Sequence, residues 1–517
     1  DWSSDVCSSD LIAFVWFSTR FFGSLRTVFN RVFNVEKGHG LFIGKLYDIW
    51  YTVSATALVV AWIGSAAYFT IARTHGLAFL ARLGAPEQVV MGPVLAFGTR
   101  LVTFFLLISI FFTLYKSLPY RRVRWQQALA GALTSGVLFE VARWAFTWVV
   151  HRFNPATLYT GALALDRLGP SFRIRTSCYA AAMPGADGAL AGDLTIYGRG
   201  DFSMAARFNA GDYTKSLEPL VSALAAAGVK RITGDLVGDE SFFRGPPFGS
   251  AWTWDDLNYY YGAEVSALTH EDNVVDLAFQ PAAALGQPVT FTAKPATQFL
   301  QFINRTTTVT NGGKRSIELY RPLAQSTVYL HGSLPLGDRD LSDSITVPRP
   351  ALWFLTQLRD ALAKRGITVT GQLRTRDWLA AEAAPVDYGK QVEIAFTDSR
   401  PMSELVEKMM KPSQNLYAQL LLLQVGARTA KPGQTTEDAG LAEMQKFLAE
   451  AGVKRGSVLL EEGSGLSRGC LLMPEATVQL LRHMDKHPAA AAYRAALPIA
   501  GVDGTLKARF AGTSDRK

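Results

Sequence analysis

Along the chain the apolar positions change rhythm near residue 165. Before that point they come in long runs. Ile49 to Ala72 is 24 residues without a charge, Val89 to Tyr115 is broken only by Arg100, and Trp125 to Val150 carries only Glu140 and Arg143. An α-helix needs about 20 apolar residues to cross a hydrocarbon core roughly 30 Å thick. The pattern therefore predicts three membrane-spanning helices, at about 49–72, 89–115 and 125–150. Glu140 and Arg143 are three residues apart and would share a helix face. A structural ion pair inside the bundle is the plain reading of the two, and a substrate or proton path the sharper one.

After Asp166 no apolar run approaches such a length, and charges of both signs are interspersed. Alternation over Leu194–Tyr197 and Val289–Thr292 predicts strands. Ala351–Lys364 has the spacing of an amphipathic helix, with Gly366 as its stop and a strand at Ile367–Thr370. Ser403–Met410 and Leu416–Val425 also read as helices. The texture is α/β or α+β, without an internal repeat.

Composition narrows the class. Hydrophobic residues make up 49% of the 517 and charged ones 19%, which excludes a disordered chain. The formal net charge is +8, and its placement decides what it means: residues 1–165 hold 14 Lys+Arg against 7 Asp+Glu, and the rest hold 38 against 37. The basic excess flanks the apolar runs, as in a membrane protein, so no nucleic-acid partner is expected. Arg20, Arg26, Arg31, Lys37 and Lys45 precede the first run, and Lys116, Arg121, Arg122 and Arg124 precede the third. The positive-inside rule puts both groups in the cytoplasm and everything after about residue 150 outside, which in a bacterium is the periplasm. Cys7, Cys178 and Cys470 make no disulfide framework, and no CxxC or Cys/His cluster suggests a metal; no cofactor is expected.

Trp16–Arg31, Leu114-Tyr115 with Pro119, Trp125, Gly131-Ala132, Phe139-Glu140 with Ala142-Arg143, and the phrase Leu158-Tyr159-Thr160-Gly161-Ala162-Leu163 resemble the YihY/BrkB family of bacterial inner-membrane proteins. The likeness runs over about residues 12–163 and implies topology more than chemistry. It covers the later part of such a protein.

A second set of phrases begins at Ala164-Leu165-Asp166-Arg167-Leu168-Gly169-Pro170 and Gly192-Asp193-Leu194. It continues with GDLVGDESFF from Gly234, WTWDDLNYYYGAEVSALTHEDN from Trp252 and Ser399-Arg400-Pro401-Met402-Ser403-Glu404-Leu405. It closes with KPSQNLYAQLLL from Lys411, EEGSGLSR from Glu461 and AGVDGTL from Ala500. Together these resemble peptidase family S13, the D-alanyl-D-alanine carboxypeptidases also known as class C penicillin-binding proteins. The resemblance implies an α/β core of the penicillin-binding-protein/β-lactamase kind, from residues 164–191 and 396–517, split by a β-rich insert at 192–395. It also implies acyl transfer by a serine on peptidoglycan stem peptides ending in D-Ala-D-Ala, with β-lactams as ligands of the intact family. Three motifs carry that chemistry: SxxK with nucleophile and base, SxN with a proton relay and a substrate-amide contact, and K-T/S-G on a strand edge.

Ser413-Gln414-Asn415 matches SxN and is followed by the expected helix. Read alone, Ser413 is an ordinary helix N-cap. In its context the resemblance gives the Ser413 hydroxyl the relay and the Asn415 amide the substrate backbone. The place expected for SxxK, Asn154 to Leu163, has neither serine nor lysine. The one literal SxxK, Ser514-Asp515-Arg516-Lys517, reads as coincidence, and no KTG is present. With that helix and strand missing, the core should lose a sheet edge and stability. Asp255 and Asp256, as adjacent residues, point apart and read as a loop rather than a catalytic pair. His270, His483 and His487 read as surface or loop residues, because the family's chemistry does not use histidine.

The two likenesses meet around Thr160–Asp166 without the exposed linker that usually joins domains. Residues 1–11, DWSSDVCSSDL, have no structural period and look like translated adapter sequence. The chain therefore reads as a composite of two partial proteins, with a genuine fusion as the other reading. Two functions follow: a cell-wall carboxypeptidase body without its nucleophile, or an inner-membrane protein of YihY/BrkB type carrying a non-catalytic peptidoglycan-binding module.

Overall fold

The structure is a computed structural model and describes residues 104–116, 123–150, 155–339 and 341–509, with side chains of the second of these stretches up to residue 142. The chain divides into two compact units, Asp1–His151 and Arg152–Lys517.

In the first unit, residues 104–116 are helical and a longer helix spans Trp125–Val150. The two pack side by side: the Tyr115 hydroxyl lies 2.8 Å from Ser135 Oγ, and Phe111 meets Phe139 edge-on. Gly136 permits the approach, since a Cβ there would fall 2.3 Å from Ile108 Cδ1. Among the described residues no helix is long and apolar enough to cross a membrane. The expectation at 125–150 falls on the second of these helices. The helix is continuous there, but Gln126, Gln127, Glu140 and Arg143 lower its hydropathy. The run at 49–72, most of that at 89–115, and residues 1–11 lie outside the described residues.

Among the described residues, the second unit has three hydrophobic cores. One is a five-stranded sheet, in the order Leu373–Arg376, Leu236–Asp239, Leu194–Tyr197, Arg175–Ala180, Val392–Asp398. Its first two junctions are parallel and its last two antiparallel. The helices Glu218–Ala226 and Pro350–Lys364 share its core. Pro350 opens the second of these, where a missing N–H costs nothing, and Gly366 at φ 81° lets the chain leave it.

The second core lies among two three-stranded sheets. Val274–Gln280 is central in one and Thr327–Pro335 in the other, and Trp353 reaches in from the helix Pro350–Lys364. The strand at Thr290–Lys294 sits where alternation predicted one, shifted by a residue or two.

The third core is helical. Ala156–Leu168, Met402–Met410, Asn415–Gly426, Thr436–Glu450, Pro474–Asp485 and Ala490–Ala496 pack around one another. Every residue from Leu416 to Gly426 is buried, as expected of a mostly apolar helix whose two glutamines, Gln419 and Gln424, are hydrogen-bonded. Here the structure departs from the predicted α/β core. Among the described residues after 402, the strands are the two-residue pair Val458–Leu459 and Leu471–Leu472. The large sheet instead joins Arg175–Ala180 and Val392–Asp398 to strands from within 192–395. The SxxK helix was also expected to be missing. A helix stands at that place, Ala156–Leu168, with residues 156–165 all buried. It runs without a break through the Thr160–Asp166 seam, and Gly161 lets it press on Met402–Met410: a Cβ there would lie 2.6 Å from Met410 Sδ.

Candidate functional site

The Asn415–Gly426 helix forms the floor of the candidate site, and its entry sets the chemistry. The cap is Gln414, whose Oε1 accepts the Leu416 N–H at 2.9 Å. Ser413 is therefore not the N-cap that its type suggests. It sits instead at φ 60°, in the left-handed region that a residue with a Cβ adopts at a cost of about 1 kcal/mol or more. Its Oγ is buried and, among the described residues, has no hydrogen-bond partner. A strained residue holding an unpaired hydroxyl is unusual where only folding is at stake.

Asn415 begins the helix, and its Nδ2 donates to the Ser464 carbonyl at 3.3 Å. That carbonyl belongs to the EEGSGLSR loop, which is tied to this helix, to the Ala156–Leu168 helix and to itself. Gly463 N–H donates to Gln419 Oε1 at 2.7 Å, and Thr160 Oγ1 donates to the Gly463 carbonyl at 2.7 Å. The fully buried Glu462 accepts the Ser464 N–H at 2.7 Å. Gly463 is required there, since a Cβ would meet Leu422 Cβ at 2.7 Å. Sequence reasoning did not single out this loop as part of the site; its close-set glycines, Gly463 and Gly465, are the signal that could have.

On the other side, Lys411 Nζ donates to Asp503 Oδ2 at 2.6 Å and to the Leu497 carbonyl at 3.1 Å. The bond from Lys411 holds the Asp503 carboxyl below the usual carboxylate range. Lys411 is thus engaged and not free to act as a base. The structure brings Ser413 and Asn415 together with the EEGSGLSR loop, the AGVDGTL turn and the Ala156–Leu168 helix. At the N-terminal end of that helix, buried Thr157 stands within the stretch where SxxK was expected. Asn154 and Ser514–Lys517 lie outside the described residues. The arrangement sets two polar groups at the start of one helix, the Asn415 amide bonded to the Ser464 carbonyl and the Ser413 hydroxyl buried. Among the described residues it offers no serine and lysine pair to attack a carbonyl.

Deeper in the helix, the Tyr417 hydroxyl donates to Asp272, which also pairs with Arg207. Glu271, Asp272 and Asn273 all have positive φ. His270, expected at the surface, is buried against Trp353 and Phe354 with Nδ1 3.0 Å from the Met204 carbonyl. Burial pushes its pKa down to about 4. Asp255 and Asp256 lie on a turn, where Asp256 accepts from Thr253, as their adjacency implies.

Residues 152–517 match the profile of the D-Ala-D-Ala carboxypeptidase 3 (S13) family, and residues 3–165 match that of virulence factor BrkB. The two matches overlap on 152–165, around the start of the Ala156–Leu168 helix. The chain is 32% identical to a D-alanyl-D-alanine carboxypeptidase of Actinomadura sp. over 368 residues, which is 69% of this chain and 65% of that one. It thus spans just under two thirds of that relative's length. It is 41% identical to a UPF0761 membrane protein of Pelodictyon phaeoclathratiforme over 78 residues, 14% of this chain and 18% of that one. In fold it is similar to penicillin binding protein 4 (dacB) from Haemophilus influenzae, with a TM-score of 0.57 at 23% identity, covering 69% of this chain and 74% of that one.

Proposed function

Over residues 152–517 the chain belongs to the D-Ala-D-Ala carboxypeptidase 3 (S13) family, and from that premise we propose that its second unit is a serine-type carboxypeptidase body. It recognises peptidoglycan stem peptides ending in D-Ala-D-Ala but forms no acyl-enzyme. In the full reaction a serine Oγ attacks the amide carbonyl, its proton passes to the departing D-alanine, and water then cleaves the ester. Ser413 serves the proton path and Asn415 the substrate backbone. The attacking serine and its lysine would come from the stretch Asn154–Leu163, which has neither.

The observation that carries this reading is the Ser413 hydroxyl, strained, buried and unpaired among the described residues. An unsatisfied buried hydroxyl at a strained residue supports a role beyond folding. The test is binding of a peptide ending in D-Ala-D-Ala by calorimetry. Wild type should bind without releasing D-alanine, and Asn415→Ala should bind about tenfold more weakly, the worth of one amide hydrogen bond. Release of D-alanine, or binding indifferent to Asn415, would contradict it.

The similarity of residues 3–165 to BrkB and UPF0761 membrane proteins supports a second reading of the first unit as a membrane anchor. The exposed Phe105, Leu133, Val137, Leu138, Phe139 and Val141 also fit lipid contact. On this reading the protein sits in the bacterial inner membrane, with the part after about residue 150 in the periplasm. Fractionation tests it: recovery of the full chain from the soluble fraction would oppose it.

A further inference from the structure

Asp166, His483 and His487 each offer one ligand atom, and these atoms all lie within 4.8 Å of one another. Asp166 comes from the Ala156–Leu168 helix, His483 from the last turn of Pro474–Asp485, and His487 from just beyond it, four residues on. His487 Nε2 lies 3.0 Å from Asp166 Oδ1, close to the spacing of two ligands on one ion. The other oxygen of Asp166 is held by Arg167 at 2.5 Å, so the carboxylate is oriented with Oδ1 toward the imidazoles. Glu443 and Glu450 in turn pair with Arg167. The His483 ring is fixed edge-on against Phe447 and lies 5.8 Å, centre to centre, from the His487 ring. A plain Asp166–His487 pair accounts for two of the three groups. It leaves His483, whose nitrogens have no hydrogen-bond partner among the described residues, unexplained.

We propose that Asp166, His483 and His487 bind one divalent transition-metal ion of the Zn2+ class, which clamps the Ala156–Leu168 helix to the Pro474–Asp485 helix. Two imidazoles and one carboxylate suit Zn2+ and its neighbours and not Mg2+ or Ca2+, which favour all-oxygen sites. Water completes the coordination. Without metal, His487 Nδ1 accepts the Ala489 N–H at 3.1 Å, so the ring proton is on Nε2 and faces Asp166. On binding, the Nε2 lone pair goes to the metal and the ring proton moves to Nδ1. The ring then gives up the Ala489 bond, and no proton is released overall. The clamp does not depend on the peptide site.

The test uses the full chain stripped of metal and titrated with ZnCl2, with CoCl2 as an absorbing probe and MgCl2 as a control. Binding is read by equilibrium dialysis and its effect by thermal unfolding. Zn2+ should raise the unfolding temperature and Mg2+ should not, and the Co2+ spectrum should show imidazole ligation. His483→Gln, which leaves the Asp166–His487 pair in place, and the double variant His483→Gln/His487→Gln should each lose the Zn2+-dependent rise. Each should also bind one Zn2+ fewer, or the same ion at least tenfold more weakly. Circular dichroism confirms that the variants fold. A folded double variant that binds Zn2+ as wild type does, or a wild type that binds none, overturns the proposal.

Discussion

Lys411 Nζ lies 2.6 Å from Asp503 Oδ2, and this ion pair joins the loop that carries Ser413 to the turn that follows Pro498. Thr505 N–H donates to the Lys411 carbonyl at 2.9 Å, and a Cβ on Gly504 would fall 2.4 Å from that same oxygen. The AGVDGTL phrase therefore acts as a brace behind the SxN loop. Lys411→Met should lower stability by about 1 kcal/mol in urea unfolding at pH 7. The Asp503 carboxyl is held low in the folded state, chiefly by the bond from Lys411. Its contribution is therefore fully present above the unfolded carboxyl value near 4, and is lost as pH falls through the lower folded value. The gap between wild type and variant should close below about pH 4; a gap that persists there would show that the lysine stem, not the charge, holds the turn.

Ser413→Gly should stabilise the protein. A glycine takes φ 60° without strain, and it removes a buried hydroxyl that has no partner among the described residues. A gain of about 1 kcal/mol in thermal or urea unfolding is expected. A loss instead would mean that the hydroxyl holds the loop in place and is not kept for a substrate.

Gly426→Ala should be severe. The new Cβ would lie 2.0 Å from the Thr436 carbonyl oxygen and 2.7 Å from the Gly440 nitrogen, so backbone must move and the Asn415–Gly426 and Thr436–Glu450 helices must part. A loss of about 3 kcal/mol is expected. An unchanged melting temperature would place the helix crossing elsewhere.

Burial holds His270 neutral, with its pKa pushed down to about 4. The unfolded chain takes up a proton near pH 6.5 and the folded one does not until about pH 4, so this residue costs stability as pH falls between those values. Glu240 and Glu271, both raised to about 7 by burial, act in the opposite sense. The difference curve between wild type and His270→Gln isolates the histidine. It should fall by about 2–3 kcal/mol from pH 6.5 to pH 4, and a flat curve would mean that the imidazole is not buried as neutral.

Much of this was legible in the residues. The helix at Asn415–Gly426 followed from its unbroken apolar face, and the strand at Leu194–Tyr197 from strict alternation. Ser413 and Asn415 stood out through the phrase around them. What was hidden depends on partners far along the chain. Whether Ser413 or Gln414 caps the helix is settled by a backbone angle that no residue type there demands. His270 sits in a charged phrase that reads as surface, and it is buried because the Met204 carbonyl, Trp353 and Phe354 close over it. The left-handed run Glu271–Asn273 is held by Ala206, Ser216, Tyr417 and Glu264, none of them adjacent in sequence. Two helices of the third core were read from their apolar spacing, but the family's α/β core, carried over to residues 396–517, led to the expectation of a sheet there, where the described strands are only Val458–Leu459 and Leu471–Leu472.

The most direct measurement is intact mass spectrometry of the purified chain after incubation with benzylpenicillin, with fluorescent penicillin as a second label. A body that has the SxN loop but no serine and lysine in the helix beside it should show no added mass and no fluorescence after denaturation. An adduct of one penicillin per chain on any serine would contradict this account and identify the nucleophile it says is missing.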